Sequence, residues 1–242
     1  MSLRALEVIK GAQVIAGYTT YVDLIRDLIG DKPLIATAMK KEVDRIQAAV
    51  DAALSGKSCA IVSSGDSGIY AMAGLVLEIC KKNSIPVAKP GKGGPGDMNI
   101  EVVPGIPALA SGASLLGAPL THDFACISLS DLLTPWDLIE KRLMAAAMAD
   151  FVMVIFNPKS KKRDWQLGRA QEIALEHRGP DTPVGIVRNA YREGQEVTMV
   201  PLSELHRAHV DMLTTVFIGS SASCGYLDFM YTPRGYAKKY QI

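Results

Sequence analysis

The chain has 242 residues, 48% of them hydrophobic and 21% charged, which supplies one large or two smaller cores and argues against disorder. A net charge of +1 gives no basis for bulk electrostatic binding to nucleic acid or a membrane surface. The four cysteines, Cys59, Cys80, Cys126 and Cys224, form no CxxC pair, so neither a zinc site nor a redox motif is indicated, and reduced thiols suit a cytoplasmic protein.

No run reaches the ~20 apolar residues that span a bilayer. The longest, 144–156, is split by Asp150 into a helix end and a strand, and Arg4, Glu7 and Lys10 interrupt the apolar positions that a signal peptide requires. From the N-terminus the pattern predicts a helix over 3–8, a short strand over 13–17 and an amphipathic helix over 42–54 carrying Val43, Ile46, Ala49, Val50 and Ala53. A buried strand over 58–63 and a helix over 69–82 follow, then a small-residue helix over 108–116. The second half predicts strands over 124–130, 151–156, 183–188 and 214–219, helices over 135–148 and 164–177, and a hairpin partner over 195–200. Strands alternating with helices of this length imply α/β domains with parallel or mixed sheets. Ala118-Pro119-Leu120-Thr121 is the expected junction, dividing an N-terminal domain, 1–120, from a C-terminal domain, 121–242.

The most informative stretch is Ser63-Ser64-Gly65-Asp66-Ser67-Gly68-Ile69-Tyr70, a glycine-bearing loop with one carboxylate between a strand and a helix. Such a loop at the carboxyl end of a strand lets backbone groups approach a small polar ligand. The alternative is an ordinary turn with Asp66 as a helix cap. Gly91-Lys92-Gly93-Gly94-Pro95-Gly96 formally matches the dinucleotide fingerprint, but Pro90 precedes it, Pro95 interrupts it and a strand follows, so an exposed loop is expected. Lys159–Arg163 carries four basic residues, a solvated loop or an anion-contacting lip.

Taken together, Ser63–Tyr70, Val102-Val103-Pro104-Gly105-Ile106-Pro107-Ala108, Gly117-Ala118-Pro119-Leu120, Phe156-Asn157-Pro158 and Gly185-Ile186-Val187-Arg188-Asn189 resemble the tetrapyrrole (corrin/porphyrin) methyltransferase family. Three more segments resemble its branch that methylates C17 of precorrin-3B: Gly17-Tyr18-Thr19-Thr20-Tyr21-Val22-Asp23-Leu24, Ser128-Leu129-Ser130-Asp131-Leu132-Leu133-Thr134-Pro135-Trp136, and Thr232-Pro233-Arg234-Gly235-Tyr236.

The resemblance implies two α/β domains with S-adenosylmethionine between them, a homodimer, and a precorrin substrate or its cobalt form, methylated at C17 with ring contraction in cobalamin biosynthesis. Residue by residue, it places Gly65, Asp66, Ile69, Pro107, Ala108, Phe156, Val187 and Arg188 at the methyl donor, with no metal. For Phe156 and Val187 the alternative is core packing. Lys40, Lys41, Lys159 and Arg188 are candidates to hold the tetrapyrrole carboxylates, or solvated charges. His122 and Asp123 are the candidates for acid–base work, against a linker histidine and a helix cap. Family members begin with a strand and a Gly-x-Gly-Pro-Gly loop before the helix matched here by residues 3–10, so that strand and loop are expected to be missing from this chain. The glycine-rich 89–99 insertion is also unusual for the family. The competing readings are methylation at another tetrapyrrole position, diphthine synthesis, and non-catalytic binding of a tetrapyrrole or nucleoside.

Overall fold

A computed structural model describes residues 1–38 and 40–240; Met39, Gln241 and Ile242, which fall inside the two expected domains, lie outside the described residues. The chain divides into two compact units, Met1–Pro107 and Ala108–Ile242. Both are α/β.

In the first unit, α1 (Leu3–Gly11) starts at Ser2, whose hydroxyl accepts the Ala5 N–H and caps the helix. Next come β1 (Val14–Tyr18), the short α2 (Thr19–Asp23) and α3 (Arg26–Ile29), β2 (Leu34–Thr37) and α4 (Glu42–Leu54). β3 (Cys59–Val62), α5 (Ala73–Lys82) and the two-residue strands β4 (Val87–Ala88) and β5 (Met98–Asn99) complete it. β1 lies between β2 and β3 in a parallel sheet. Ile15 and Ala60 pack with Ile9, Val22 and Ile29, whereas Ile46, Val50, Val76 and Ile79 of α4 and α5 pack with Ile61. The 3–4 spacing of Ile46, Ala49 and Val50 thus puts one helical stripe into the core.

The second unit opens with α6 (Ala108–Leu116) and β6 (Gly117–Ala118), followed by β7 (Phe124–Ser128), α7 (Trp136–Met148), β8 (Val152–Phe156), α8 (Gln166–Leu175) and β9 (Pro183–Arg188). It continues with β10 (Glu196–Pro201), β11 (Thr214–Ile218), β12 (Cys224–Tyr226), β13 (Phe229–Tyr231) and α9 (Tyr236–Tyr240). The main sheet has the order β10-β9-β11-β8-β7. β7 and β8 are parallel, β11 is antiparallel to β8 and β9, and β10 is antiparallel to β9. The carboxyl ends of β7, β8 and β9 therefore share one edge.

Side chains alternate along these strands as the pleat requires. Met153, Ile155, Val184, Ile186, Val216 and Ile218 face α7 and α8, and Val154, Val187 and Phe217 face α6. Burial on both faces explains why β8 reads as an unbroken apolar run. α6 lies along β9. A Cβ on Gly112 would meet Phe217 at 2.7 Å and Val187 at 3.6 Å, and one on Gly185 would overlap Leu116. The first turn of α6 accordingly points toward the edge where β9 ends.

That packing puts α6 in the second unit, so the junction expected near residue 120 lies inside it. The helix expected from residue 69 starts at Ala73, because Gly65 and Tyr70 adopt left-handed conformations (φ 77° and 51°) that keep the preceding residues in turns. No helix among the described residues is long and apolar enough to cross a membrane.

Candidate functional site

In the first unit β3 runs into the loop 63–72, and a second irregular segment, 100–107, lies against it. One Asp66 oxygen accepts the Gly68 N–H at 2.8 Å, and the other accepts the Gly105 N–H at 2.8 Å. The Ser67 hydroxyl donates to the Val103 carbonyl at 3.1 Å. A Cβ on Gly105 would collide with the Gly65 carbonyl oxygen, so only glycine allows this approach. Beyond it, Arg4 grips Glu101 with two bonds of 2.7 and 2.6 Å, and the Ser2 hydroxyl donates to Pro104 at 2.7 Å. Arg4 holds the Glu101 carboxyl below its ordinary range. Asp66 is not the cap of α5, which starts seven residues later; it braces two loops. The structure thus brings Gly65, Asp66 and the segment leading to Pro107 together on backbone contacts, with Ile69 in the same loop.

In the second unit β8 and β9 both leave the shared edge through an asparagine in the left-handed region, Asn157 (φ 50°) and Asn189 (φ 49°). Asparagine tolerates that conformation, and it turns the chain sharply at the strand end. Phe156 and Val187 pack in the cluster facing α6, whose first residue is Ala108. The structure therefore brings Ala108, Phe156, Val187 and Arg188 to one edge. For the Val187 side chain, 2% exposed, core packing holds.

The Arg188 side chain is already committed. Its Nε donates to Asp211 at 2.9 Å and its Nη1 to Glu196 at 3.4 Å. Burial pushes the Asp211 carboxyl up, but bonds from Arg188, the Leu213 N–H and the Thr214 hydroxyl outweigh it and hold the group below its ordinary range. Arg188 does not present a free charge to a carboxylated ligand. Lys41 pairs with Asp44 at 3.0 Å on the first turn of α4, while Lys159 is exposed.

His122 and Asp123 sit elsewhere. The Asp123 carbonyl accepts the Val152 N–H, which places both residues at the amino ends of β7 and β8. His122 Nδ1 accepts the Asp123 N–H at 2.8 Å. Their side chains are 53% and 78% exposed. The five residues of β7, at about 3.3 Å each, separate them by roughly 15 Å from the edge where β7 ends. The acid–base expectation followed from closeness in sequence to the junction, and the direction of β7 carries these residues away from Phe156, Val187 and Arg188.

At the shared edge, Gln166 and Asp211 were not singled out in the sequence, and Arg163 entered it only as the end of the basic run Lys159–Arg163. Arg163 is 8% exposed and donates to the Asn157 carbonyl at 2.9 Å; burial lowers its pKa and the charge of Asp131 opposes the shift. Gln166 donates to Asp131 at 2.9 Å. Asp211 anchors Arg188. The available signal was a polar residue inside an otherwise helical or basic pattern, which composition alone does not separate from surface charge.

The profile of the tetrapyrrole (corrin/porphyrin) methylases matches residues 1–206. The chain is 50% identical to the cobalt-factor III methyltransferase of Priestia megaterium over 99% of its own length, spanning 43% of that relative. It is 42% identical to a probable cobalt-factor III C(17)-methyltransferase of Salmonella typhimurium, covering 98% of this chain and 93% of the relative. A precorrin-3B C(17)-methyltransferase from a Sinorhizobium species is 38% identical, covering 98% of this chain and 92% of that one. The crystal structure of the methyltransferase CobJ matches with a TM-score of 0.84 at 33% identity, over 96% of this chain and 93% of that one. With more than half its length matched by the profile, the chain belongs to the tetrapyrrole (corrin/porphyrin) methylase family.

Proposed function

We propose that the chain transfers a methyl group from S-adenosylmethionine to C17 of a precorrin-3B-type tetrapyrrole, with ring contraction, in cobalamin biosynthesis. The single observation behind this is identity of 38–50% over at least 98% of the chain with relatives named as methyltransferases of cobalt-factor III or precorrin-3B, two of them at C17. The two relatives at 50% and 42% are named for cobalt-factor III, which favours the cobalt-containing substrate.

The donor brings an already activated methyl group, and displacement at it by a carbon nucleophile requires neither a metal nor a protein nucleophile. What remains for the protein is binding and orientation, which is worth up to ~7–11 kcal/mol in favourable cases. The residues present fit a donor of that kind. The approach of Gly65 to Gly105, too close for a Cβ, sets backbone rather than side chains at the loop surface, and Phe156 offers an aromatic ring. Gly65, Ile69 and Pro107 in the first unit, and Ala108, Phe156, Val187 and the Arg188 backbone in the second, are the residues proposed to hold it. Asp66 serves by bracing the loop, since both its oxygens accept backbone N–H groups.

We also propose a cytoplasmic homodimer. The paired strands β12 and β13 leave Tyr226, Leu227 and Phe229 more than half exposed, an apolar surface suited to a partner.

The test of the activity is incubation with S-adenosylmethionine and cobalt-factor III, with precorrin-3B in parallel. The expected outcome is a product heavier by one methyl group and stoichiometric S-adenosylhomocysteine. Absence of both with either substrate overturns the proposal.

A further inference from the structure

The loops leaving β7 and β8 at the shared edge are tied together. Asn157 Nδ2 donates to the Ser128 hydroxyl at 3.0 Å, and Gln166 Nε2 donates to Asp131 at 2.9 Å. Ser160 and Arg163 exchange backbone hydrogen bonds of 2.8 and 3.3 Å, closing a turn with Lys161 and Lys162 at its centre. The Arg163 guanidinium folds back onto the Asn157 carbonyl, so the loop is braced from inside. Lys159, Lys161 and Lys162 are exposed on this fixed frame. On the loop tied to it, Leu132 and Leu133 are 77% and 94% exposed. Trp165 is 52% exposed, and its ring meets Trp136 edge-on at 4.7 Å.

Folding alone does not account for this arrangement. Two adjacent leucines in water contribute nothing to a core, and apolar groups clustered with cations mark a binding surface. Arg163 Nε and Gln166 Oε1 lie buried with no hydrogen-bond partner among the described residues, in residues 8% and 2% exposed.

We propose that this rim binds the tetrapyrrole, with Leu132, Leu133 and Trp165 against the apolar face of the macrocycle and Lys159, Lys161 and Lys162 pairing with its peripheral carboxylates. The inference rests on the tetrapyrrole reading above and assigns the substrate to particular loops. A flat apolar ring edged with carboxylates calls for apolar and cationic groups side by side. Lysines suit the second task, because a point charge on a flexible stem follows carboxylates at varied positions. The rim is cationic in sum: Lys159, Lys161, Lys162 and Arg163 outnumber the carboxylates of these loops, Asp131 and Asp164.

The test titrates the full chain with uroporphyrin III, a polycarboxylate macrocycle, by fluorescence quenching, and with S-adenosylhomocysteine by calorimetry. The variants are Lys159→Ala/Lys161→Ala/Lys162→Ala, the corresponding triple change to Arg, and Leu132→Ser/Leu133→Ser. The Ala triple and the Ser pair are expected to weaken porphyrin binding about tenfold or more and the Arg triple to restore most of it, with S-adenosylhomocysteine binding unchanged. Salt at about 0.5 M is expected to weaken the parent chain and not the Ala triple. Unchanged porphyrin affinity in the Ala triple, or no porphyrin binding by the parent chain, overturns the proposal. Binding through these residues without methyl transfer overturns the enzymatic reading and leaves the rim in place.

Discussion

Asp66 and Gly105, 39 residues apart, are joined by a 2.8 Å hydrogen bond from the Gly105 N–H to a carboxylate oxygen whose twin accepts the Gly68 N–H. One side chain thereby sets the conformation of its own loop and fixes a second loop against it. The approach is closed by the Gly65 carbonyl, which leaves no volume for a side chain at residue 105.

Gly105→Ala is therefore expected to push the two loops apart. S-adenosylhomocysteine binding falls by about tenfold or more, while α4, α5 and their core remain folded. Calorimetry and far-ultraviolet circular dichroism on the same sample check this; unchanged affinity means that the loops do not shape the donor site.

Asp66→Ala removes the acceptor of two backbone N–H groups and is expected to destabilise the protein by roughly 1.5–3 kcal/mol, the range for hydrogen bonds to a charged group. Asp66→Asn keeps one acceptor and is expected to lie between. Denaturant midpoints at constant slope measure both. A direct ligand contact predicts the reverse, with lost affinity and an unchanged midpoint.

Gly185→Ala places a methyl group into Leu116, and overpacking of this kind costs ~1–3 kcal/mol. Adding Leu116→Ala opens the same volume. The double variant is expected to be more stable than the sum of the two single losses predicts, and strict additivity would show that α6 does not pack on β9 as described.

The pH dependence of stability follows from Asp211. Its folded pKa is depressed below the ordinary ~3.9, so its contribution is complete above about pH 4 and is lost as the pH falls through the lower folded value. Asp211→Asn is expected to flatten that part of the acid unfolding curve and leave the slope above pH about 5 unchanged. An identical acid limb in the variant contradicts the network around Arg188.

The long elements were legible because their periodicity spans enough residues to declare a face, as Ile46, Ala49 and Val50 do in α4. Strands β8 and β9 were legible as apolar runs bounded by Asn157 and by Asn189. Short pieces such as β2, β6 and the paired strands β12 and β13 were not, because two to four residues carry no period. The junction was misplaced for a different reason. A stripe of small residues in α6 signals close packing but not the partner, and the partner proved to be β9 and β11 of the following unit. The two loops that meet on backbone in the first unit were legible through their glycines. Positions that depend on strand direction, such as those of His122 and Asp123 at the amino ends of β7 and β8, were not readable from linear order.

His122 and Asp123 supply the last prediction. Both precede β7, and their exposed side chains contact each other at the amino ends of the parallel strands. Catalytic proton transfer requires hydrogen-bond reach, about 2.6–3.2 Å directly or one water further. Roughly 15 Å of strand lies between these residues and the edge holding Phe156 and Arg188. His122→Ala and Asp123→Ala are accordingly expected to leave kcat/KM within about threefold of the parent value, whereas a lost general acid or base costs typically ~10²–10⁴-fold. The same variants are expected to preserve the shape of the pH–rate profile, a readout that a small structural disturbance does not move. A hundredfold loss in kcat with unchanged substrate affinity, accompanied by the disappearance of one limb of that profile, would return the acid–base role to this pair.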